Sequence, residues 1–326
     1  MDKTFKIEIS AKTIVFTILF LVFLNLLWLI RELIFSFFIA FIIMSALNPW
    51  VTYFEKKKIP RPLTTILTFI VIFFGLGYLL FWLIPPIAHE ITLFSKNFPK
   101  ILQNIIPNYS QIYGNGDFFT KYLPNITNNT LIILKNVFSN VIFLISTIFF
   151  SFYFLVEEDA LRNFIIRFFN KTQSTKLLIS LNRTEKRLRS WFWGELLLMI
   201  IIGILTYIGL SLLNIKFTLA LSVIAGLLEV VPILGPILSA VPAVIVGLSD
   251  SMFLGLATIA LYFIIQQSEN QIIVPYIMKK AVGLNPIITL AALIIGGRIG
   301  GVLGILLAIP VTIFIESILL EYLKTK

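Results

Sequence analysis

Charge-free apolar segments recur along this chain of 326 residues, separated by shorter polar connections. A helix needs about 20 apolar residues to cross a membrane, because the hydrocarbon core is roughly 30 Å thick and each helical residue rises about 1.5 Å. Six segments approach this length without a charged residue. We therefore predict spanning helices over residues 13–30, 33–54, 63–84, 136–156, 196–215 and 251–268.

Two apolar stretches, residues 217–249 and 281–315, are too long for one comfortable span and too short for two. Each carries one charge, Glu229 in the first and Arg298 in the second. Each is also interrupted near its middle by residues that break helices. The predicted breakers are Pro232, Gly235 and Pro236 in the first stretch and Gly296, Gly297, Gly300 and Gly301 in the second. We predict a broken helical hairpin in each stretch, with two kinked spanning helices as the alternative.

The two stretches align without gaps at an offset of 68 residues. Residues 237–242 fall on residues 305–310, and both carry the string I-L-x-A-x-P. Each hairpin would follow one full span, so the two units would cross the membrane in opposite directions. Inverted repeats of this kind are typical of secondary transporters, which bind their substrate near the midplane between broken helices. We therefore predict an all-α polytopic membrane protein with about six spans and two broken hairpins in an inverted repeat.

Glu229 and Arg298 each lie beside the breaker of their own repeat. A charge at the centre of a bilayer costs about 3 kcal/mol or more, so such side chains usually face a cavity or a partner. We predict that Glu229 lines a translocation site and titrates or binds a cation. Arg298 would pair with Glu229 in one conformation or hold an anionic or polyol group. A static buried ion pair that only fixes the two hairpins is the alternative.

Composition supports the membrane assignment and excludes several kinds of site. Hydrophobic residues make up 58% of the chain and charged residues 13%, about half the charge of an ordinary soluble domain. The chain has no cysteine and one histidine, which excludes disulfides and thiolate sites and argues against a multi-histidine metal cluster. No Walker motif is present, and no enzyme signature is convincing, so we predict neither an enzyme nor a cofactor.

The net charge of +10 is a matter of topology rather than of nucleic-acid binding. Lysine and arginine concentrate in residues 1–12, 55–61 and 157–190, whereas residues 85–135 hold few for their length. Because positively charged loops stay in the cytoplasm, both termini are predicted to lie inside. With Lys279, Lys280, Lys324 and Lys326 included, 19 of the 26 basic residues then fall on the inner side.

Two extramembrane segments have amphipathic character. Residues 86–130 contain prolines between short apolar clusters and are predicted to form interfacial helices on the outer face. Residues 160–190 mix phenylalanine and leucine with arginine and lysine at helical spacing. This segment is predicted to lie on the inner leaflet, either as a solvated linker or as a partner contact.

The breakers resemble the signatures of a known family. Residues 229–236, followed by 240–242, resemble the E-x-x-P-x-x-G-P…I-P stretch of the AI-2E family of bacterial membrane proteins. A second run looks like the other signature of that family; it comprises Glu269, Asn270, Pro275, residues 283–286, Gly296, Gly297, Gly304 and residues 308–310. The resemblance covers nearly the whole chain and is most specific in residues 190–315.

The resemblance implies a permease. The family takes its name from the export of the quorum-sensing signal autoinducer-2, and some members are reported as sodium(lithium)/proton antiporters. Glu269 and Asn270, in a polar run at the end of the sixth span, become candidate site residues, with simple solvation at the interface as the alternative. Family members often have glutamine at the position of Glu195, and the residue at the position of Arg298 varies, so this chain departs from the family pattern at both.

These observations predict a transporter of the prokaryotic inner membrane that exports a small polar solute by alternating access, with autoinducer-2 as one candidate. A monovalent cation/proton antiporter is the alternative, and a non-transporting membrane scaffold is an alternative of another class. We expect a four-span scaffold in residues 1–156, including the outer segment 85–130. A basic linker in 157–190 and a transport region in 191–320, made of repeats 191–249 and 251–320, would complete the chain. A homo-oligomer is also predicted.

Overall fold

The computed structural model describes residues 11–105, 141–157, 159–278 and 285–323, and the regular elements in these ranges are helices without strands. Six of the described helices are long and apolar enough to cross a membrane. The predicted all-α polytopic fold is therefore confirmed. In chain order the first five helices are α1 (Ala11–Leu29), α2 (Arg31–Glu55), α3 (Arg61–Ile105), α4 (Val141–Val156) and α5 (Ala160–Phe168).

The remaining elements belong to the second half of the chain. They are α6 (Lys171–Leu212), α7 (Thr218–Leu228), α8 (Leu234–Asp250), α9 (Met252–Ser268), a π-helical turn (Glu269–Ile273), α10 (Val274–Ile277) and α11 (Pro286–Leu323). We call the end of the bundle that carries residues 30, 213–217 and 251 the predicted outer end. The end that carries residues 55–61 and 157–171 is the predicted inner end.

Helix α3 is longer than its predicted span. It has 45 residues, about 67 Å of helix, and it continues through residues 86–105, where we expected separate interfacial helices. Tertiary packing explains the difference: the ring of Phe94 lies 5.5 Å from the ring of Phe217, and Ile101 is buried among residues of α6, α7 and α8. These contacts offset the backbone hydrogen bonds that the prolines remove. The rest of the predicted outer segment, 106–130, lies outside the described residues.

The basic segment and the fifth span form one helix. α6 is 42 residues long and runs without interruption through residues 171–190 into the predicted span 196–215. Its half near the predicted inner end is held by Arg187, whose guanidinium lies 2.5 Å from the carboxylate of Glu316 on α11. The indole N–H of Trp193 donates to the carbonyl of Ala46 on α2 at 3.1 Å. These bonds fix α6 between α2 and α11.

The first predicted break is present. α7 ends at Leu228 and α8 begins at Leu234, with Ile233 between them in an unusual backbone conformation at a φ of 71°. Gly235 packs so closely on the backbone carbonyl of Leu228 that a Cβ at this position would overlap it. The two short helices therefore fold back on each other as a hairpin.

The second predicted break is also present, at Gly301. This residue has a φ of 57° inside α11, a left-handed conformation that glycine adopts without steric cost. The backbones of Gly296 and Gly304 are in contact, whereas eight residues of straight helix would separate them by about 12 Å. α11 is therefore a hairpin with its tip at Gly301. The inverted relation of the two hairpin units stays a prediction.

Candidate functional site

Three glutamates from distant parts of the chain line one cavity of about 350 Å³. Glu195 comes from α6, Glu229 from the end of α7, and Glu269 from the π-helical turn after α9. Gln266 and Asn270 line the same cavity, together with apolar side chains. The cavity is therefore a polar site at the junction of the first hairpin and the two long helices beside it.

Helix length explains why two of the glutamates meet. Glu195 lies 17 residues before the end of α6, and Glu269 lies 17 residues after the start of α9. Both helices have these ends at the predicted outer end, so each glutamate is about 25 Å from it. The two side chains therefore reach the same depth, nearer the predicted inner end than the midplane of a core roughly 30 Å thick.

The break in the first hairpin brings the third glutamate to the cavity. Glu229 follows the last residue of α7, and its N–H still donates to the carbonyl of Ala225. Pro232 and Ile233, in the turn between the two short helices, also line the cavity. A break in a helix leaves backbone groups without their helical hydrogen bonds. At membrane depth such a break is tolerated only where protein or a water-filled cavity supplies the missing partners.

The π-helical turn is a second interruption at the same site. Pro275 lies in the helical turn that follows it and cannot donate a backbone hydrogen bond to Gln271. Single π-turns inside α-helices often occur at functional sites, because they shift side chains around the helix axis. Here the turn begins at Glu269 and includes Asn270, and both side chains line the cavity.

The three carboxyl groups are buried and close to one another. Glu195, Glu229 and Glu269 are 6%, 3% and 7% exposed. The carboxyl groups of Glu229 and Glu269 are close enough to share a hydrogen bond, and Glu195 is near enough to interact with both electrostatically. Gln266 donates to Oε2 of Glu269 at 3.1 Å. Oε2 of Glu229 is buried with no donor among the described residues.

The described residues that line the cavity include no lysine or arginine, so none of them neutralises the three carboxyl groups. The three glutamates also do not converge on one point as metal ligands do, since the described residues contain no group of three acidic, histidine or cysteine side chains that could hold a metal ion. The arrangement suits the binding of protons, or of a cation coordinated by fewer than three of the carboxylates.

The structure brings together only part of the predicted site. Glu229, Glu269 and Asn270 line the cavity, but Arg298 does not. Arg298 lies three residues from the tip of the second hairpin and is exposed, and no ion pair links it to Glu229 in the described part of the chain. The neighbouring Gly300 packs against the ring of Phe35, near the start of α2 at the predicted outer end. The predicted contact between the two charges is thus not formed.

Glu195 is the site residue that the sequence did not indicate. Its position after two tryptophans suggested a place at the membrane interface. A usable signal was present in its spacing, because Trp191, Glu195 and Leu198 share one face of a helix and all three line the cavity. Their helix is buried on that side, so the carboxyl group of Glu195 faces protein rather than the interface.

Comparison with known proteins identifies the family of this chain. The sequence model of the family described as "AI-2E family transporter" matches residues 17–324 of this chain. The chain is 28% identical to a Bacillus subtilis (strain 168) protein named "Putative transport protein YueF", with 90% of this chain and 85% of that protein covered. It is 22% identical to "Putative transport protein YrrI" of the same organism, over 92% and 89% of the two chains. A "Putative transport protein" of Thermotoga maritima is 20% identical and is covered over 98% of its length.

The family match extends over almost the whole chain, and the relatives are covered over most of their lengths. Six helices able to span a membrane and the broken hairpins fit the same assignment. The chain is therefore a multi-pass membrane protein that belongs to the AI-2E transporter family.

Proposed function

We propose that this protein exchanges a monovalent cation for protons across the membrane, through the cavity lined by the three glutamates. One observation carries the proposal: the cavity holds the buried carboxyl groups of Glu195, Glu229 and Glu269 and no basic side chain among its described lining. A site built in this way attracts positive species and repels anions.

Proton exchange follows from the contact between two of these groups. A carboxylate only accepts hydrogen bonds, so a hydrogen bond between Glu229 and Glu269 would need a proton on one of the two groups. A cation that binds there takes the place of that proton, since the charge of the buried site must stay compensated. Carboxylate and amide oxygens are suitable ligands for hard cations, and Gln266 and Asn270 supply amide oxygens beside the pair.

The hairpin break offers a way to expose the cavity to each side in turn. Residues 229–233 connect two short helices and form part of the cavity wall. A movement of α7 and α8 about this turn would change access to Glu229 without unfolding a spanning helix. The proposed transport region is therefore residues 191–320, in two repeats that act by alternating access, while the rest of the chain supports it.

Export of a small polar solute is the second candidate, and the size of the cavity favours it. The volume of about 350 Å³ exceeds what a bare cation needs and falls in the range of small-molecule sites. Gln266 and Asn270 would bind hydroxyl groups of a solute such as autoinducer-2. In this case the glutamates would accept hydrogen bonds from the solute.

The membrane setting is part of the proposal. We propose the prokaryotic inner membrane with both termini in the cytoplasm, supported by the excess of lysine and arginine at the predicted inner end. Helix α1 is exposed along its length, which suits contact with lipid or with further copies of the chain in a homo-oligomer.

Flux measurements on the purified full chain in liposomes test the proposal. A pH-sensitive dye inside the vesicles should respond when sodium or lithium is added outside under an imposed pH gradient, and vesicles without protein give the baseline. Release of autoinducer-2 from loaded vesicles is measured in parallel. Solute flux without a cation-dependent dye response would favour the second candidate. If neither flux were observed, both candidate functions would be overturned and the membrane scaffold would be favoured.

A further inference from the structure

A second cavity, apolar where the first is acidic, lies at the predicted inner end between α2, α3 and α6. Its volume is about 480 Å³, and its lining includes Leu47, Trp50, Thr68, Val71, Ile72 and Trp193. The two threonine hydroxyls and one of the two indoles in this wall are bonded to backbone: Thr68 donates to the carbonyl of Thr64 at 2.8 Å, Thr64 to that of Arg61, and Trp193 to that of Ala46. The surface offered to an occupant is therefore mainly hydrocarbon.

The cavity has the depth of one leaflet of a bilayer. Along α3 its lining extends from Ile59, just before the helix, to Ile72, and residues 61–72 span about 16 Å. Half of a hydrocarbon core roughly 30 Å thick is about 15 Å. Trp50 and Val71 are 56% and 69% exposed, so the cavity is open at the side of the bundle that faces lipid. An acyl chain of the inner leaflet fits these dimensions.

Three consecutive lysines lie at the mouth of this cavity. Lys56, Lys57 and Lys58 form the turn between α2 and α3 and are exposed; they begin two positions after the cavity-lining Phe54. Lys57 Nζ lies 4.6 Å from the centre of the Tyr53 ring. No ion pair holds any of these lysines within the part of the chain that the structure describes.

The nearest acidic side chain is already neutralised. Glu55 forms a 2.7 Å ion pair with Arg61, and Arg61 also donates to Asn48 and to the carbonyl of Leu155. The lysine turn therefore keeps an uncompensated charge of about three units beside an apolar cavity. An anionic headgroup joined to an acyl chain is the ligand that satisfies both features at once.

From these features we propose that the cavity and the lysine turn form a binding site for an anionic phospholipid of the inner leaflet. One acyl chain occupies the space between Trp50 and Val71, and the phosphate lies on the lysine turn. The site lies beside the acidic cavity along α6, since Trp193 in its wall is two residues before Glu195. The proposal does not depend on what the protein transports.

Native mass spectrometry of the full chain tests this site. The detergent-solubilised protein is mixed with equal amounts of phosphatidylglycerol and phosphatidylcholine that carry the same acyl chains, and retained lipids are counted. We expect preferential retention of phosphatidylglycerol. Changing all three lysines to glutamine should weaken it about a hundredfold, because each basic residue near the membrane surface contributes roughly a factor of five. Retention of phosphatidylcholine should stay unchanged.

A cavity-filling variant separates the acyl-chain contact from the charge. Thr68→Phe should reduce retention of both lipids, because its ring would occupy the cavity. Ile148→Phe is the matched control, placed in another apolar cavity, of about 440 Å³, whose described lining contains no lysine or arginine. It should retain lipid as the unmodified protein does.

Two results would overturn the proposal. One is equal retention of phosphatidylglycerol by the lysine variant and the unmodified chain. The other is a change in the number of subunits, rather than of lipids, in the lysine variant, which would identify the site as a contact between copies of the chain. The lysines are exposed, so this variant decides the question even if Thr68→Phe does not fold.

Discussion

Replacement of Glu229 by glutamine is the most direct perturbation of the acidic cavity. The substitution keeps the shape of the side chain and one oxygen, and it removes one ionisable group. Glu229 is 3% exposed and its Oε2 has no donor among the described residues, so the new amide breaks no described bond at that atom. The variant should fold as well as the parent, since its amide can donate a hydrogen bond to Glu269 in place of the shared proton.

The size of the effect follows from the burial of the site. A cation about 4 Å from a carboxylate gains roughly 4 kcal/mol at an effective dielectric constant of about 20. The cost of removing both charges from water offsets part of this gain. A loss of about 2 kcal/mol remains, and it corresponds to a cation affinity lowered about thirtyfold.

The assay is cation-driven proton movement in liposomes, measured over a series of sodium concentrations. Glu229→Gln should raise the half-saturating sodium concentration about thirtyfold. It should also weaken the pH dependence of exchange, because one proton-binding group is lost. Asp250→Asn is the matched control: Asp250 pairs with Lys216 at 2.6 Å at the predicted outer end, outside the cavity. Exposed pairs contribute little, so this variant should stay within about twofold of the parent.

One outcome would refute the assignment of Glu229. If Glu229→Gln showed the sodium dependence and the pH dependence of the unmodified protein, its carboxyl group would be neither a cation ligand nor a proton carrier. The contact with Glu269 would then be structural. Loss of transport in Asp250→Asn to the same extent would instead show that the effect comes from charge removal in general.

Two further predictions concern one glutamate and one glycine. Glu195→Gln should keep exchange active but raise the half-saturating sodium concentration, by less than Glu229→Gln does, because one of the three buried negative charges around the cavity is removed; an unchanged sodium dependence would exclude Glu195 from the site. Gly301→Ala should lower the free energy of unfolding in detergent by about 1 kcal/mol, since its φ is 57° and the space around it is open. Gly75→Ala, in open space within α3, should not lower it, and equal losses in both variants would contradict the conformational explanation.

Much of the fold was predictable because its causes are local. Apolar length fixed the spans, and the prolines and glycines fixed both breaks, at residues 229–233 and at Gly301. The continuation of α3 through residues 86–105 was not predictable, since it depends on packing against the first hairpin. Local signals therefore predicted the positions of the helices better than their lengths.

The site was predictable only in part. Glu229 and Glu269 were found, one as a charge in an apolar stretch and one through the family resemblance. Arg298 was placed beside them on the assumption that the two breakers converge. The tip of the second hairpin instead packs against Phe35, and Arg298 does not line the cavity. Whether the two breakers meet depends on how deep each hairpin lies in the bundle. An alignment of two repeats carries no information on that depth.

The sequence by itself determined that this protein crosses a membrane and where its two hairpins break. These features follow from the cost of placing backbone groups and charges in hydrocarbon, and each residue carries that cost locally. Only the tertiary structure decided which charges meet. Glu195 and Glu269 are 74 positions apart in the chain and face one cavity because α6 and α9 present them at equal depth. The rotation and depth of packed helices, rather than any local pattern, produced a site of three carboxyl groups.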